Sequence, residues 1–223
     1  MNNIIYTVTA LLFIVVSVGL MYLYLTYREK EVQNLRKFFA FEYDKKYCML
    51  VAVMLVIGII IFLYSHYYVD HVFLKAFMNA EVSIWLITIG YIDWKEGIIP
   101  NQMILTGIVF WGILSLLEIF IAHTMWQKVL FFSLVGGGIC GGILFLIAII
   151  TKGALGMGDV KLFFVMGLLY GFSNTYVILF FSILVMAIIS VVLLAMKKVT
   201  RKTAVPMAPF VAIGFLISVL MGM

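Results

Sequence analysis

The stretch Tyr91-Ile92-Asp93-Trp94-Lys95-Glu96-Gly97-Ile98-Ile99-Pro100-Asn101 joins two apolar runs, 80–94 and 101–122. Trp94 suits a membrane interface, and Lys95 can reach water from beside it. Pro100 fits the start of a following helix, where its missing N–H costs no hydrogen bond. The stretch therefore reads as helix, polar corner, helix at a bilayer surface. Asp93 lies inside that boundary. A carboxylate at membrane depth is costly, and one placed there is a functional candidate.

The rest of the chain extends this reading. Of its 223 residues 65% are hydrophobic and 11% charged, and the mean hydropathy is +1.20. Soluble domains average about 25% charged residues. A globule of this size has too little interior to hide so much apolar surface. Eight apolar segments can be drawn, at 3–26, 48–69, 80–94, 101–122, 129–150, 160–172, 175–196 and 205–222. Most approach the ~20 residues that cross a bilayer. The expected fold is all-α, a polytopic membrane protein of about eight transmembrane helices forming a single domain over 1–223. The first segment has no basic residue before it and no small-residue cleavage site after it, so it reads as a retained helix rather than a signal peptide.

Loop charges predict the orientation. With the amino terminus outside, thirteen Lys and Arg fall on inside loops, and only Lys75 and Lys128 fall outside. That bias obeys the positive-inside rule and puts Asp93 at the cytoplasmic face of an inner or plasma membrane. The net charge of +5 belongs to these loops and does not call for nucleic acid. The largest loop, 27–47, carries six basic and four acidic residues. Val32, Leu35, Phe38 and Phe39 recur there at helical spacing. The loop reads either as a surface-lying amphipathic helix or as a solvated linker.

A second aspartate reaches the same face in Gly156-Met157-Gly158-Asp159-Val160-Lys161. The glycines suit a tight turn delivering Asp159 to the start of the sixth segment. Taken alone, Asp159 is a helix cap and Asp93 a span-end charge. Taken together, two carboxylates within hydrogen-bond reach share one proton. Such a pair can activate water as general base and protonate a leaving amine as general acid. That chemistry needs neither metal nor cofactor.

Three stretches resemble the type IV prepilin peptidase family, one of the Gly-x-Gly-Asp intramembrane aspartic proteases. They are Asp93 followed by Pro100 and Asn101, the Gly156-x-Gly158-Asp159-x-Lys161 motif, and Pro206-x-x-Pro209-Phe210 at the entry to the last segment. The resemblance covers about residues 80–223. It implies that Asp93 and Asp159 are the catalytic pair. It also implies that the partners are prepilin or pseudopilin precursors, whose short basic leader stays cytoplasmic while an apolar helix lies in the membrane. Many bacterial members have a long first loop with two Cys-x-x-Cys pairs, and methylate the new amino terminus with S-adenosylmethionine. Here the loop has about twenty residues and no cysteine, and the first segment lacks the usual Gly-Ser-Phe-x-Asn. The resemblance therefore points to a short, peptidase-only form, or to one whose methylation is weak or supplied elsewhere, and S-adenosylmethionine is not an expected cofactor.

Two other functions remain as alternatives: a proton-coupled transporter using the same aspartates, and a combined peptidase and N-methyltransferase. No internal repeat of the transporter kind is visible. Cys48 and Cys140 are expected to be small buried hydrophobes. Gly137 with Gly141, and Gly138 with Gly142, have the spacing of close helix packing. His66, Asp70, His71, Glu81, Glu118 and His123 read as polar residues near the outer face. Lys161 reads either as an influence on Asp159 or as a contact for lipid phosphate.

Overall fold

The computed structural model describes residues 2–33, 45–69, 73–121, 125–151, 155–196 and 205–223. Among them the chain is all helix: α1 (Asn2–Gln33), α2 (Lys45–Tyr67), α3 (Phe73–Glu96), α4 (Asn101–Ile121), α5 (Trp126–Ile150), α6 (Met157–Ala195) and α7 (Ala208–Leu220). Helix is the form in which an apolar segment satisfies its own backbone within lipid. The first six helices are long and apolar enough to cross a membrane. The protein is thus a multi-pass membrane protein. α7, at 13 residues, is shorter than the ~20 that usually span.

The expected eight helices become seven among the described residues because α6 contains both the 160–172 and 175–196 segments. The separation between them is nevertheless present as a bend. Gly171 has φ 70° and ψ 178°, a backbone conformation essentially confined to glycine. The Thr175 hydroxyl donates to the Met166 carbonyl at 3.0 Å. In a straight helix nine residues would separate these groups by about 13 Å. The chain thus bends sharply at Gly171 and lays the start of its second arm against the end of its first. α1 continues through Gln33, so the first loop begins as helix. Residues 34–44, where most of the predicted surface helix falls, lie outside the described residues.

The helices gather into two compact units, Met1–Thr88 and Ile89–Met223. In the first, α1 buries Ala10, Ile14, Val18 and Leu25 at helical spacing, while Leu12, Phe13, Val16 and Leu20 face outward. Gly58 of α2 admits Ile84 of α3, whose Cδ1 lies 3.0 Å from where a Cβ would stand. The Asn79 amide donates to the Ser65 hydroxyl at 3.3 Å, satisfying two buried polar groups.

In the second unit α5 and α6 meet through glycines. A Cβ on Gly136 would stand 2.5 Å from the Gly167 carbonyl oxygen, and one on Gly137 or Gly141 would meet Leu168 or Phe164. The predicted Gly137/Gly141 packing is therefore present, and it seats α6, the helix that carries Asp159. Gly138 and Gly142 face open space and take no part in it. On the other side of α6, Gly214 of α7 lies against Ser182, and Phe215 packs on Tyr170 with ring centroids 5.5 Å apart.

Candidate active site

Three helix ends of the second unit build the site. The first is the end of α3. Gly97 adopts φ 69° and donates its N–H to the Asp93 carbonyl at 2.8 Å, closing the helix. Pro100 then stands one residue before α4. Its carbonyl accepts from Met103 at 3.0 Å and from Ile104 at 3.3 Å, which starts the new ladder. Trp94, Lys95 and Glu96 are exposed, whereas Asp93 is only 6% exposed.

The second is the start of α7. The Ala208 N–H donates to Asp93 Oδ2 at 3.0 Å, and the Met207 N–H faces the same carboxylate. Free N–H groups at a helix start favour a negative charge. Gly90, one turn before Asp93, makes this approach possible. A Cβ there would stand 3.1 Å from the Pro209 Cα. Pro209 occupies the first turn of α7, where it forfeits no hydrogen bond, and Phe210 is buried behind it. The Pro206–Phe210 motif thus presents backbone donors to Asp93.

The third is the start of α6. Gly156 caps the helix, and Asp159 lies in its first turn, partly buried. The Gly156 N–H donates back to the Asp159 carboxylate, a reciprocal cap. Asp93 lies close enough for its charge to act on Asp159. The two aspartates named from the sequence therefore lie in one electrostatic neighbourhood.

The remaining motif residues surround them. Gly158 admits Ile99, whose Cβ lies 3.0 Å from where a Cβ on the glycine would stand. Lys161 donates from Nζ to Asn101 Oδ1 at 2.8 Å. That bond follows neither of the two readings offered for Lys161. Sequence reasoning passed over Gly90, Ile99 and the Ala208 N–H. Gly90 stands three residues before Asp93 inside a helix, and a glycine so placed marks a close approach of backbone. Nothing local signalled the other two.

The outer polar residues divide. Glu118 is exposed, as expected of a solvated side chain. Glu81 is a correction, because it is buried at 9% exposure. α3 begins at Phe73 rather than at 80, so Glu81 lies two turns inside the helix. Its carboxylate accepts from Ser17, and its Oε1 has no hydrogen-bond partner. His66 stacks on Phe62 with centroids 5.8 Å apart. Asp70, His71 and His123 lie outside the described residues. Cys140 is buried with a free thiol, and the Cys48 side chain is not among those described. Among the described residues no three His, Cys, Asp or Glu side chains gather as a metal site would require.

Comparison with known proteins gives this arrangement a context. The pattern of the type IV leader peptidase family matches residues 80–191, just over half of the chain. That range includes Asp93, Pro100, Asn101, Gly156, Gly158, Asp159 and Lys161. A curated relative, the prepilin leader peptidase/N-methyltransferase of Bacillus subtilis (strain 168), is 30% identical over 139 residues. The match takes in 61% of this chain and 52% of the relative, so the chain spans about half of that protein's length. No solved structure matches. The chain belongs to the type IV leader peptidase family.

Proposed function

We propose that the protein is an aspartic endopeptidase that removes the basic leader of prepilin-like precursors, with Asp93 and Asp159 as its catalytic pair. The observation that carries this reading is the approach of the two aspartates from separate helices, each held by backbone N–H donors. Neighbouring carboxylates share one proton. The ionised member takes a proton from water as the water oxygen attacks the scissile carbonyl. The protonated member then gives its proton to the leaving nitrogen as the C–N bond breaks.

The topology we propose has the amino terminus outside and both aspartates at the cytoplasmic face, with the two arms of α6 and the short α7 completing eight passes. α4 and α5 stand between the end of α3 and the start of α6. Two crossings return the chain to the same face, and the bend at Gly171 comes after both aspartates. The thirteen-to-two distribution of loop Lys and Arg supports this orientation. A basic leader held in the cytoplasm, ahead of a membrane-embedded helix, would present its junction to that face.

The test is cleavage of a prepilin-like precursor by the purified protein in proteoliposomes, read by mass spectrometry of the new amino terminus. Cleavage at the leader–helix junction is expected. An intact precursor, with the protein folded, contradicts the proposal. A second reading, peptidase with N-methyltransferase, is favoured by the name of the curated relative. Against it stands the first loop, which has no cysteine. Calorimetric titration with S-adenosylmethionine separates the two, and no binding is expected.

A further inference from the structure

We infer that Lys161 and Asn101, with the Ile99–Gly158 contact beside them, form a positioning latch that sets the separation of Asp93 and Asp159. The inference rests on the catalytic pair proposed above.

The α3–α4 corner and the start of α6 close a loop of contacts around the two aspartates. Asp93 is tied to the α3–α4 corner at one end, through the Gly97 N–H on its carbonyl at 2.8 Å. The corner is tied at its other end by Pro100, whose carbonyl begins α4. Asn101 is the first residue of α4, so its position relative to Asp93 follows from a corner closed at both ends. On α6, Gly158 and Lys161 are three residues apart and share one face, with Asp159 between them. Gly158 lets Ile99 approach until only a missing side chain leaves room for it. Lys161 then holds Asn101 at 2.8 Å. The start of α6 thus meets the corner at two points, one before and one after Asp159 in sequence. One contact is apolar, and a side chain on Gly158 would require Ile99 to give by a few tenths of an ångström. The other joins a cation to a neutral amide oxygen at the exposed edge of the corner.

The cation in this latch has a partner other than a carboxylate. Had Lys161 paired with Asp159, it would have fixed that group's charge and prevented it from holding the shared proton. With its ammonium on Asn101, Lys161 aligns the helix and leaves the pair free to exchange a proton. Misplacement of reacting groups by about 1 Å can cost on the order of 10²-fold in rate. A latch this near the aspartates therefore acts mainly on kcat.

The test is a double-mutant cycle on leader cleavage with Lys161→Met, Asn101→Ala and the double variant, beside Asn101→Asp and Asp159→Asn. Each single latch variant is expected to lower kcat by about 10- to 100-fold, with KM within about 2-fold. The double variant is expected to be no slower than the slower single. Asn101→Asp keeps an acceptor oxygen for Lys161 and is expected to restore most of the rate. Loss with Lys161→Met but not with Asn101→Ala overturns the latch, because Lys161 would then act directly on the reacting atoms. Effects that multiply, or no effect from either variant, overturn it as well. Full activity of Asp159→Asn instead defeats the catalytic pair itself. A geometric readout independent of turnover is a disulfide between Ile99→Cys and Gly158→Cys, made with Cys48 and Cys140 changed to Ser. The latch predicts rapid cross-linking that Lys161→Met slows, and equal rates in both backgrounds contradict it.

Discussion

Glu81 and Asp93 stand on the same helix, α3, and are similarly withdrawn from the surface, at 9% and 6% exposure. Glu81 accepts from the Ser17 hydroxyl and leaves Oε1 without a partner. Asp93 receives backbone N–H groups from the start of α7 and has a second carboxylate within electrostatic reach. Burial of a membrane carboxylate marks a candidate and does not separate these two residues. Their surroundings do. Asp93 lies where the ends of separate helices converge, and helix ends supply fixed donors that a helix middle cannot. Glu81 lies well inside its helix, where every backbone N–H is already used, and only a neighbouring hydroxyl answers it.

The comparison breaks most directly by substitution at the two positions. Asp93→Asn is expected to lower leader cleavage by roughly 10³-fold or more, the scale on which loss of a catalytic group acts. Glu81→Gln in the same assay is expected to stay within about 2-fold of the parent. Equal losses at both positions would mean that burial, and not partnership, determines function. The next effect comes through α7. Gly90→Ala drives a Cβ to within 3.1 Å of the Pro209 Cα, a backbone atom that cannot yield without moving Ala208 from Asp93. A fall in kcat of about 10-fold or more is expected from displaced groups at the site. Gly112→Ala, with open space around it, serves as the control and is expected to change nothing.

Stability sharpens the comparison further, since Asp159 depends on how α6 is seated. Gly167→Ala places a Cβ 2.6 Å from the Gly136 carbonyl oxygen and is expected to destabilise by about 1–3 kcal/mol, read as a lower melting temperature in detergent. Gly138→Ala, on the open face of α5, is expected to be neutral or slightly stabilising. The smallest effect is at Glu81. Glu81→Met removes the unpartnered oxygen and is expected to raise stability by about 1 kcal/mol, because an unmet buried acceptor carries a desolvation cost.

What the sequence disclosed depended on whether the signal was local. The α3–α4 corner was legible because Trp94 and Lys95 suit an interface and Pro100 suits a helix start; the left-handed turn at Gly97 came only with the structure. The cap at Asp159 was legible too, from Gly156 and the turn before α6. The sequence divided 160–172 from 175–196 as two helices, and the structure keeps that division as a bend inside α6. Ser173 and Asn174 look like turn residues, yet they continue the helical assignment, and one glycine dihedral supplies the bend. Glu81 was misread because α3 was started at 80, seven residues late, which made a buried residue look terminal. The Lys161–Asn101 bond joins residues sixty positions apart, and no pattern in either segment announces it. The same holds for Ala208 and Asp93, whose meeting depends on Gly90 and Pro209 packing across helices.

In the mechanism we propose, Asp93 and Asp159 act as one unit. The most direct measurement compares Asp93→Asn, Asp159→Asn and the double variant in a single leader-cleavage assay on folded protein in proteoliposomes. Each single change is expected to lower cleavage by roughly 10³-fold or more, with the double variant no worse, because a pair that shares one proton is lost with either member. Retention of full activity by either single variant, or losses that multiply in the double variant, would contradict it.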